Sequence, residues 1–333
     1  MTAGKGTGRR RFLKIAAAAA GLGLLGQSAR GARAEFHTWR GTALGARATI
    51  RLQHPDRDAA QILIARVRDE IERLEQVFSL YRPDSAVSRL NRQGSLEAPP
   101  LDLLRLLSEA HRYSELTGGA FDITVQPLWR LYAAHFQAQS GSAGGPEDSA
   151  VAAALTRVDY RAVTLDPARI VFEKPGMAVT LNGIAQGYIT DRIAELLRGA
   201  GLTDVLIDLG ELRSLGRHPD GRPWEVGIQD PRRGGRLLRR LALSEAALAS
   251  SAGAGTRFGG DGACHHLFDP RSGRSSNRYL NVSVKASSAT RADALSTGLF
   301  HLDPERITKV LRNFAGVEAY VTLANGEQRD WPA

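Results

Sequence analysis

From Ile170 to the C-terminus, short apolar runs alternate with stretches of helical spacing, and this alternation limits the chain to folds that pack helices on β-sheet. Ala178–Leu181, Val205–Asp208, Trp224–Ile228, Leu237–Leu243, Leu280–Lys285 and Val317–Leu323 read as strands. Gly183–Arg198, closed by Gly199 and Gly201, reads as a helix, as do Ala292–Phe300 and Pro304–Phe314. Proline suits the first turn of the last of these. Upstream, Thr42–Leu52 reads as an opening strand. A long helix is expected over Asp58–Phe78, where Ile64, Val67, Ile71, Leu74 and Phe78 share one face. A second, Leu101–Leu116, stops at Gly118-Gly119. Gln137–Asp148, rich in Gly, Ser, Ala and Gln, reads as a surface loop. No internal repeat or heptad pattern is present. The expectation is an α+β fold with mixed sheets and packed helices, in one compact unit or two intimate subdomains. Cys264 is the only cysteine, so no intramolecular disulfide can stand in for a core.

The N-terminus reads as an address. Arg9 and Arg10 form the pair of a twin-arginine signal, followed by an apolar stretch from Ile15 to Leu25 and the small-x-small site Ala32-Arg33-Ala34. The apolar stretch is too short to span a bilayer, which takes about 20 residues. The expected outcome is export to the periplasm by the twin-arginine translocase, with cleavage after Ala34, leaving 35–333 as the working domain. Residues 1–34 carry seven basic side chains and no acid, so the formal +9 falls to about +2 on the mature chain. That balance argues against a nucleic-acid partner, which needs a concentrated basic face.

Four segments combine Gly, acids and hydroxyls beyond what packing asks. In Thr117–Thr124, two glycines let backbone approach something closely before Phe121 and Asp122; alone, this reads as a helix cap entering a strand. In Thr180–Tyr188 a strand passes through Asn182-Gly183 into a helix, whose first N–H groups can hold phosphate oxygens. Neither a Walker A loop nor a Rossmann fingerprint is present. In Cys264–Gly273, Cys264-His265-His266 invites a zinc or cysteine-nucleophile reading, but no second cluster supplies further ligands and Cys264 reads as a bystander. In Ala292–Thr297, Asp293 and Thr297 are i and i+4, so a carboxylate and a hydroxyl share one helix face and offer hard oxygens suited to Mg²⁺. The plain alternative is that Asp293 caps the helix.

Taken in order, these segments resemble the ApbE family, the FAD:protein FMN transferases. The resemblance runs from Gly41-Thr42-Ala43-Leu44-Gly45 through Tyr81–Ser85, Ser88-Arg89-Leu90-Asn91 and Gly119–Asp122. It continues through Gly183–Tyr188 with Asp191, Asp208-Leu209-Gly210, His266–Pro270 and Ala292–Thr297. It implies an ApbE-like architecture related to the T-fold. It implies an enzyme that cleaves the pyrophosphate of FAD and transfers FMN to a Ser or Thr of another protein, releasing AMP.

By that resemblance, Mg²⁺ is held by the Gly183 carbonyl, the Asp293 carboxylate and the Thr297 hydroxyl. Leu44, Tyr81, Ala120, Phe121, Asp122, Thr180, Gln186 and Leu267 line the FAD site, with Tyr81 as a stacking surface. His266 orients or deprotonates the incoming hydroxyl, and Asp293 is the second catalytic candidate. The chain departs from the common family pattern where an acid becomes Thr180, where a Lys becomes Gln186, and where Ser272-Gly273-Arg274-Ser275 follows Asp-Pro. These changes remove charge near the expected FAD site and leave a non-catalytic flavin carrier, or an FAD pyrophosphatase, as alternatives. The Asn-Gly-Ile-Ala-Gln-Gly form with a twin-arginine signal resembles the NosX branch, which implies a membrane-bound NosR-like acceptor serving nitrous oxide reduction. No Ser/Thr-Gly-Ala-Ser/Thr acceptor sequence occurs in this chain, so the acceptor is expected to be another protein.

Overall fold

The computed structural model describes residues 16–17, 35–138, 144–233, 235–259 and 262–332. The export signal and its cleavage site, apart from Ala16 and Ala17, lie outside the described residues, as does the centre of the expected loop at 139–143.

In chain order, β1 (Ala16–Ala17) is followed by β2 (Glu35–Ala43) and β3 (Ala46–His54), then α1 (Arg57–Phe78), α2 (Ala86–Gln93), β4 (Ser95–Glu97) and α3 (Leu101–Leu116). Next come α4 (Gln126–Ala138), α5 (Asp148–Leu155), β5 (Val163–Leu165), β6 (Arg169–Phe172) and α6 (Ala185–Gly199). The last part holds β7 (Val205–Asp208), β8 (Leu212–Leu215), β9 (Trp224–Gln229), β10 (Leu237–Leu243), β11 (Ala247–Ser251) and β12 (Tyr279–Ala286). It closes with α7 (Ala289–Leu299), α8 (Pro304–Leu311), β13 (Glu318–Leu323) and β14 (Gln328–Trp331).

An eight-stranded antiparallel sheet, ordered β14-β13-β12-β11-β8-β7-β3-β2, forms the frame. Of two three-stranded sheets, β1-β9-β10 shares a second core with the large sheet through Trp224, Val226 and Ile228 against Leu206, Leu212 and Leu248, and β4-β6-β5 contacts α2 and α3. The main core lies between the large sheet and the helices. Leu63, Val67, Ile71, Leu74 and Phe78 bring the α1 stripe into it, and α7 is buried along most of its length. No helix among the described residues is long and apolar enough to cross a membrane.

Three sequence expectations need correction. The single strand over Thr42–Leu52 is the second arm of a hairpin plus its turn. Leu44 and Gly45 both take positive φ, 47° and 81°, and reverse the chain there. Leu44 accepts that conformation while its N–H donates to Glu75 Oε1 at 2.7 Å. Ala178–Leu181 is extended but joins no sheet. Its backbone is satisfied instead by the Asn91 side chain, which exchanges two bonds with Val179 at 2.7 and 2.8 Å, and by the Ile123 carbonyl, which accepts Thr180 N–H at 2.7 Å. The helix after Ser288 starts at Ala289 rather than Ala292, because Ser288 caps it and Asp191 accepts the N–H groups of Ala289 and Thr290 at 2.9 and 2.8 Å.

Candidate active site

A cleft enclosing about 1100 Å³, part of it open to solvent, lies where α6 and α7 meet the end of β11 and the segment from Ala252 to Phe268. Its polar floor carries Thr180, Asn182, Gly183, Gln186, Glu211, Ser250, Ser251, Asp293 and Thr297. Phe121, Trp129, Leu267 and Phe268 form apolar walls, and His266 stands on the rim. A mostly apolar concavity with a few converging polar groups is the usual form of a small-molecule site.

Each polar group is set by local structure. Asp293 does not cap α7; that work falls to Ser288 and Asp191. Asp293 sits one turn in, 4% exposed, and its Oδ2 accepts the N–H of Gly187 at 3.0 Å. Burial pushes its carboxyl up to about 7, partly offset by that N–H. At Gly187 α6 comes close to α7: a Cβ there would stand 2.4 Å from the Ala289 carbonyl oxygen. Gly183 has a similar constraint, since its Cβ would lie 2.8 Å from Thr297 Oγ1. The missing side chain brings the Gly183 backbone up to the Thr297 hydroxyl, which in turn stands 3.3 Å from Ser251 Oγ. Gly183, Asp293 and Thr297 are therefore drawn together by the tertiary structure.

Gln186 is 8% exposed, with Nε2 toward the Leu209 carbonyl at 3.5 Å. Gly210, at φ 101°, makes room for it. Asp122 is held tightly: Oδ1 accepts the Thr124 N–H and hydroxyl at 2.7 and 2.6 Å, and Oδ2 accepts the Tyr160 N–H at 3.1 Å. The segment after Gly119 thus enters a 3₁₀ turn and α4 rather than a strand. Asp122 shapes the wall that presents Phe121. His266 Nδ1 faces the Thr256 carbonyl at 3.2 Å and donates to it. His265 turns inward, 2% exposed, with Nε2 against the Ser276 carbonyl at 2.9 Å, and burial lowers it to about 4.

Of the residues expected at the site, Phe121, Asp122, Thr180, Gly183, Gln186, His266, Leu267, Asp293 and Thr297 line this cleft. Leu44, Tyr81 and Ala120 do not. Ala120 is buried behind Phe121, Leu44 lies in the β2–β3 turn, and Tyr81 is 62% exposed between α1 and α2. The sequence reading missed Trp129, Ser250, Ser251 and Glu211. The signal for Glu211 was an acid directly between Gly210 and the buried strand β8, a position where packing alone would place an apolar residue.

The donor set fits a hard divalent cation. Among the described residues no three His, Cys, Asp or Glu side chains gather to hold a metal, so a cation here relies on carbonyl and hydroxyl oxygens with carboxylate support. Among the described residues, buried Glu211 Oε2 has no hydrogen-bond partner and no Lys or Arg lines the cleft. Uncompensated acid in a buried floor is a costly arrangement that a cation relieves.

Comparison with known proteins agrees with this geometry. The profile of the ApbE family matches residues 44–321. An FAD:protein FMN transferase of Treponema pallidum is 33% identical over 270 residues, covering 75% of this chain and 74% of that protein. One of Vibrio cholerae is 30% identical over 261 residues, covering 77% and 78%. The solved flavin transferase ApbE from Vibrio cholerae superposes with a TM-score of 0.77 at 26% identity, covering 90% of this chain and 97% of that one. The ApbE protein of Thermotoga maritima gives 0.76 at 27% identity, covering 89% and 96%. On the match across residues 44–321 and these relatives, the chain belongs to the ApbE family of FAD:protein FMN transferases.

Proposed function

We propose that this chain is a periplasmic, Mg²⁺-dependent FAD:protein FMN transferase whose acceptor is a membrane-bound NosR-like flavoprotein bearing a Ser/Thr-Gly-Ala-Ser/Thr motif. The observation that carries the reading is the convergence of Gly183, Asp293 and Thr297 on the cleft floor, with Thr297 Oγ1 only 2.8 Å from where a Gly183 Cβ would stand. The Gly183 carbonyl, the Asp293 carboxylate and the Thr297 hydroxyl would hold the Mg²⁺, which would neutralise the pyrophosphate and orient it. Thr180, Asn182 and Gln186 donate neutral hydrogen bonds to the phosphate oxygens. Phe121, Leu267, Phe268 and Trp129 exclude water from the reacting bond and pack against the ring systems.

Transfer at phosphorus needs positioning and charge stabilisation more than an enzyme nucleophile. The acceptor hydroxyl oxygen attacks the FMN phosphorus, the bond to the bridging oxygen breaks, and AMP leaves with the electron pair. His266 Nε2 takes the proton of the attacking hydroxyl. The decisive experiment incubates mature protein with FAD, Mg²⁺ and an acceptor domain, then weighs the acceptor. Covalent FMN on the acceptor Ser or Thr, with AMP released, supports the proposal. Free FMN without acceptor labelling would instead identify a pyrophosphatase, and unchanged bound FAD a carrier.

A further inference from the structure

Glu211 belongs to no motif, yet the fold drives it into the cleft. Gly210 turns the chain at φ 101°, and β8, which pairs with β7 and β11, pulls the following residues into the sheet. The Glu211 side chain ends up 7% exposed. Glutamate is almost never buried without a partner. The Ser250 backbone hydrogen-bonds this carboxyl, while Oε2 has no partner among the described residues. Its charged neighbours, Asp293 and Asp208, are both acids. The same short stretch of β11 joins it to the proposed cation ligands: Ser250 holds Glu211, and Ser251 Oγ stands 3.3 Å from Thr297 Oγ1.

We propose that Glu211 is a further ligand of the divalent cation in this cleft, bound directly or through one water, beside Asp293 and Thr297. The inference rests on reading a cation into the cleft. Its chemical basis is charge and hardness. Mg²⁺ sites use one or two carboxylates and complete their shell with phosphate and water. With Asp293 as the only liganding carboxylate, Glu211 Oε2 would stay buried beside the ion with no partner among the described residues. With Glu211 included, two carboxylates balance the ion and no buried acid is left without a counter-charge.

The test uses Mn²⁺ as the probe and the FAD-free mature protein, with free Mn²⁺ read by electron paramagnetic resonance. Glu211→Gln should weaken Mn²⁺ binding at least about tenfold, the loss common when a group supporting a metal site is removed. The Mg²⁺-induced rise in melting temperature should shrink with it. Glu211→Ala is the second variant, so unchanged Mn²⁺ affinity in whichever of the two folds overturns the proposal. Normal Mn²⁺ affinity with weakened FAD binding also overturns it, and makes Glu211 an acceptor for a substrate hydroxyl. The outcomes separate this inference from the function it rests on. If the wild type binds Mn²⁺ and Asp293→Asn is impaired while Glu211→Gln is not, only Glu211 is removed. If the wild type binds no Mn²⁺ with or without FAD, the cation itself is removed from the site, and this inference falls with it.

Discussion

The backbone N–H of Gly187 in α6 donates to Oδ2 of Asp293 in α7 at 3.0 Å, joining residues 106 positions apart in the chain. This bond points the carboxylate at the start of α6. It also uses one of the N–H groups that a bare helix start would offer to a phosphate. The site proposed for the pyrophosphate thus sets a carboxylate against a helix N-terminus, an arrangement that suits a cation between acid and anion better than the helix dipole alone.

Asp293→Asn keeps the shape and the bond from Gly187 but removes the charge. FMN transfer should fall on the order of 100-fold, as when one preorganised electrostatic group is lost from an active site. The melting temperature should hold, since a buried charge has gone and no cavity has formed. Thr297→Val should lose less in the same assay. A wild-type rate for Asp293→Asn at limiting Mg²⁺ would remove Asp293 from the cation site.

Gly187→Ala tests the contact between the helices. The added methyl would meet the Ala289 carbonyl oxygen at 2.4 Å, so α6 and α7 must separate. Overpacking of this kind costs about 1–3 kcal/mol. Denaturant unfolding should report that loss, and transfer should drop because Asp293 moves with α7. Wild-type stability would show that the helix contact is looser than the geometry implies.

Gln186 is buried on the cleft floor, not solvent-facing, so Gln186→Lys places an ammonium beside the expected phosphates. Charge-assisted hydrogen bonds are roughly twice as strong as neutral ones. FAD should bind more tightly by about 1 kcal/mol at low salt, with the gain shrinking as salt screens it. Equal dissociation constants for both proteins at both salt concentrations would place the phosphates elsewhere.

His301 gives a pH dependence of stability. Burial lowers its folded-state value to about 3, and its Nδ1 faces Ser276 Oγ at 2.8 Å. The unfolded imidazole titrates near 6.5. Between these values the unfolded chain binds a proton that the folded protein refuses, so this residue's contribution is full above about 6.5 and is lost as pH falls below it. The stability of wild type relative to His301→Gln should therefore fall by about 1.4 kcal/mol per pH unit between roughly 6 and 5. A difference that stays flat over that range would mean that the ring is protonated in the folded state.

Export is checked separately. Replacing Arg9 and Arg10 with Lys should stop periplasmic accumulation, and normal processing of the double variant would remove the twin-arginine reading.

The helices of this protein are legible in the chain because their stripes are local. Ile71, Leu74 and Phe78 announce α1 by spacing alone, and β10 coincides with its expected span because all of it but Leu238, at a register shift, pairs with β9. The same local logic failed at Ala178–Leu181. An extended run looks identical whether its backbone partners are a neighbouring strand or the amide of Asn91. Of the site, Asp293 and Thr297 could be paired from their i, i+4 spacing, which is a property of one helix. Gly183 was grouped with them only through the family resemblance; that it physically meets Thr297, that Gly187 holds the carboxylate, and that Glu211 turns into the same floor depend on where α6, α7 and β11 cross. Those crossings are set by side-chain packing over the whole core: only once the helices have met would a Cβ on Gly187 or Gly183 stand 2.4 or 2.8 Å from atoms of α7. A sequence carries which groups can do chemistry. Which of them share a few ångströms, and which acid is left without a partner, was decided when the sheet and helices closed on one another.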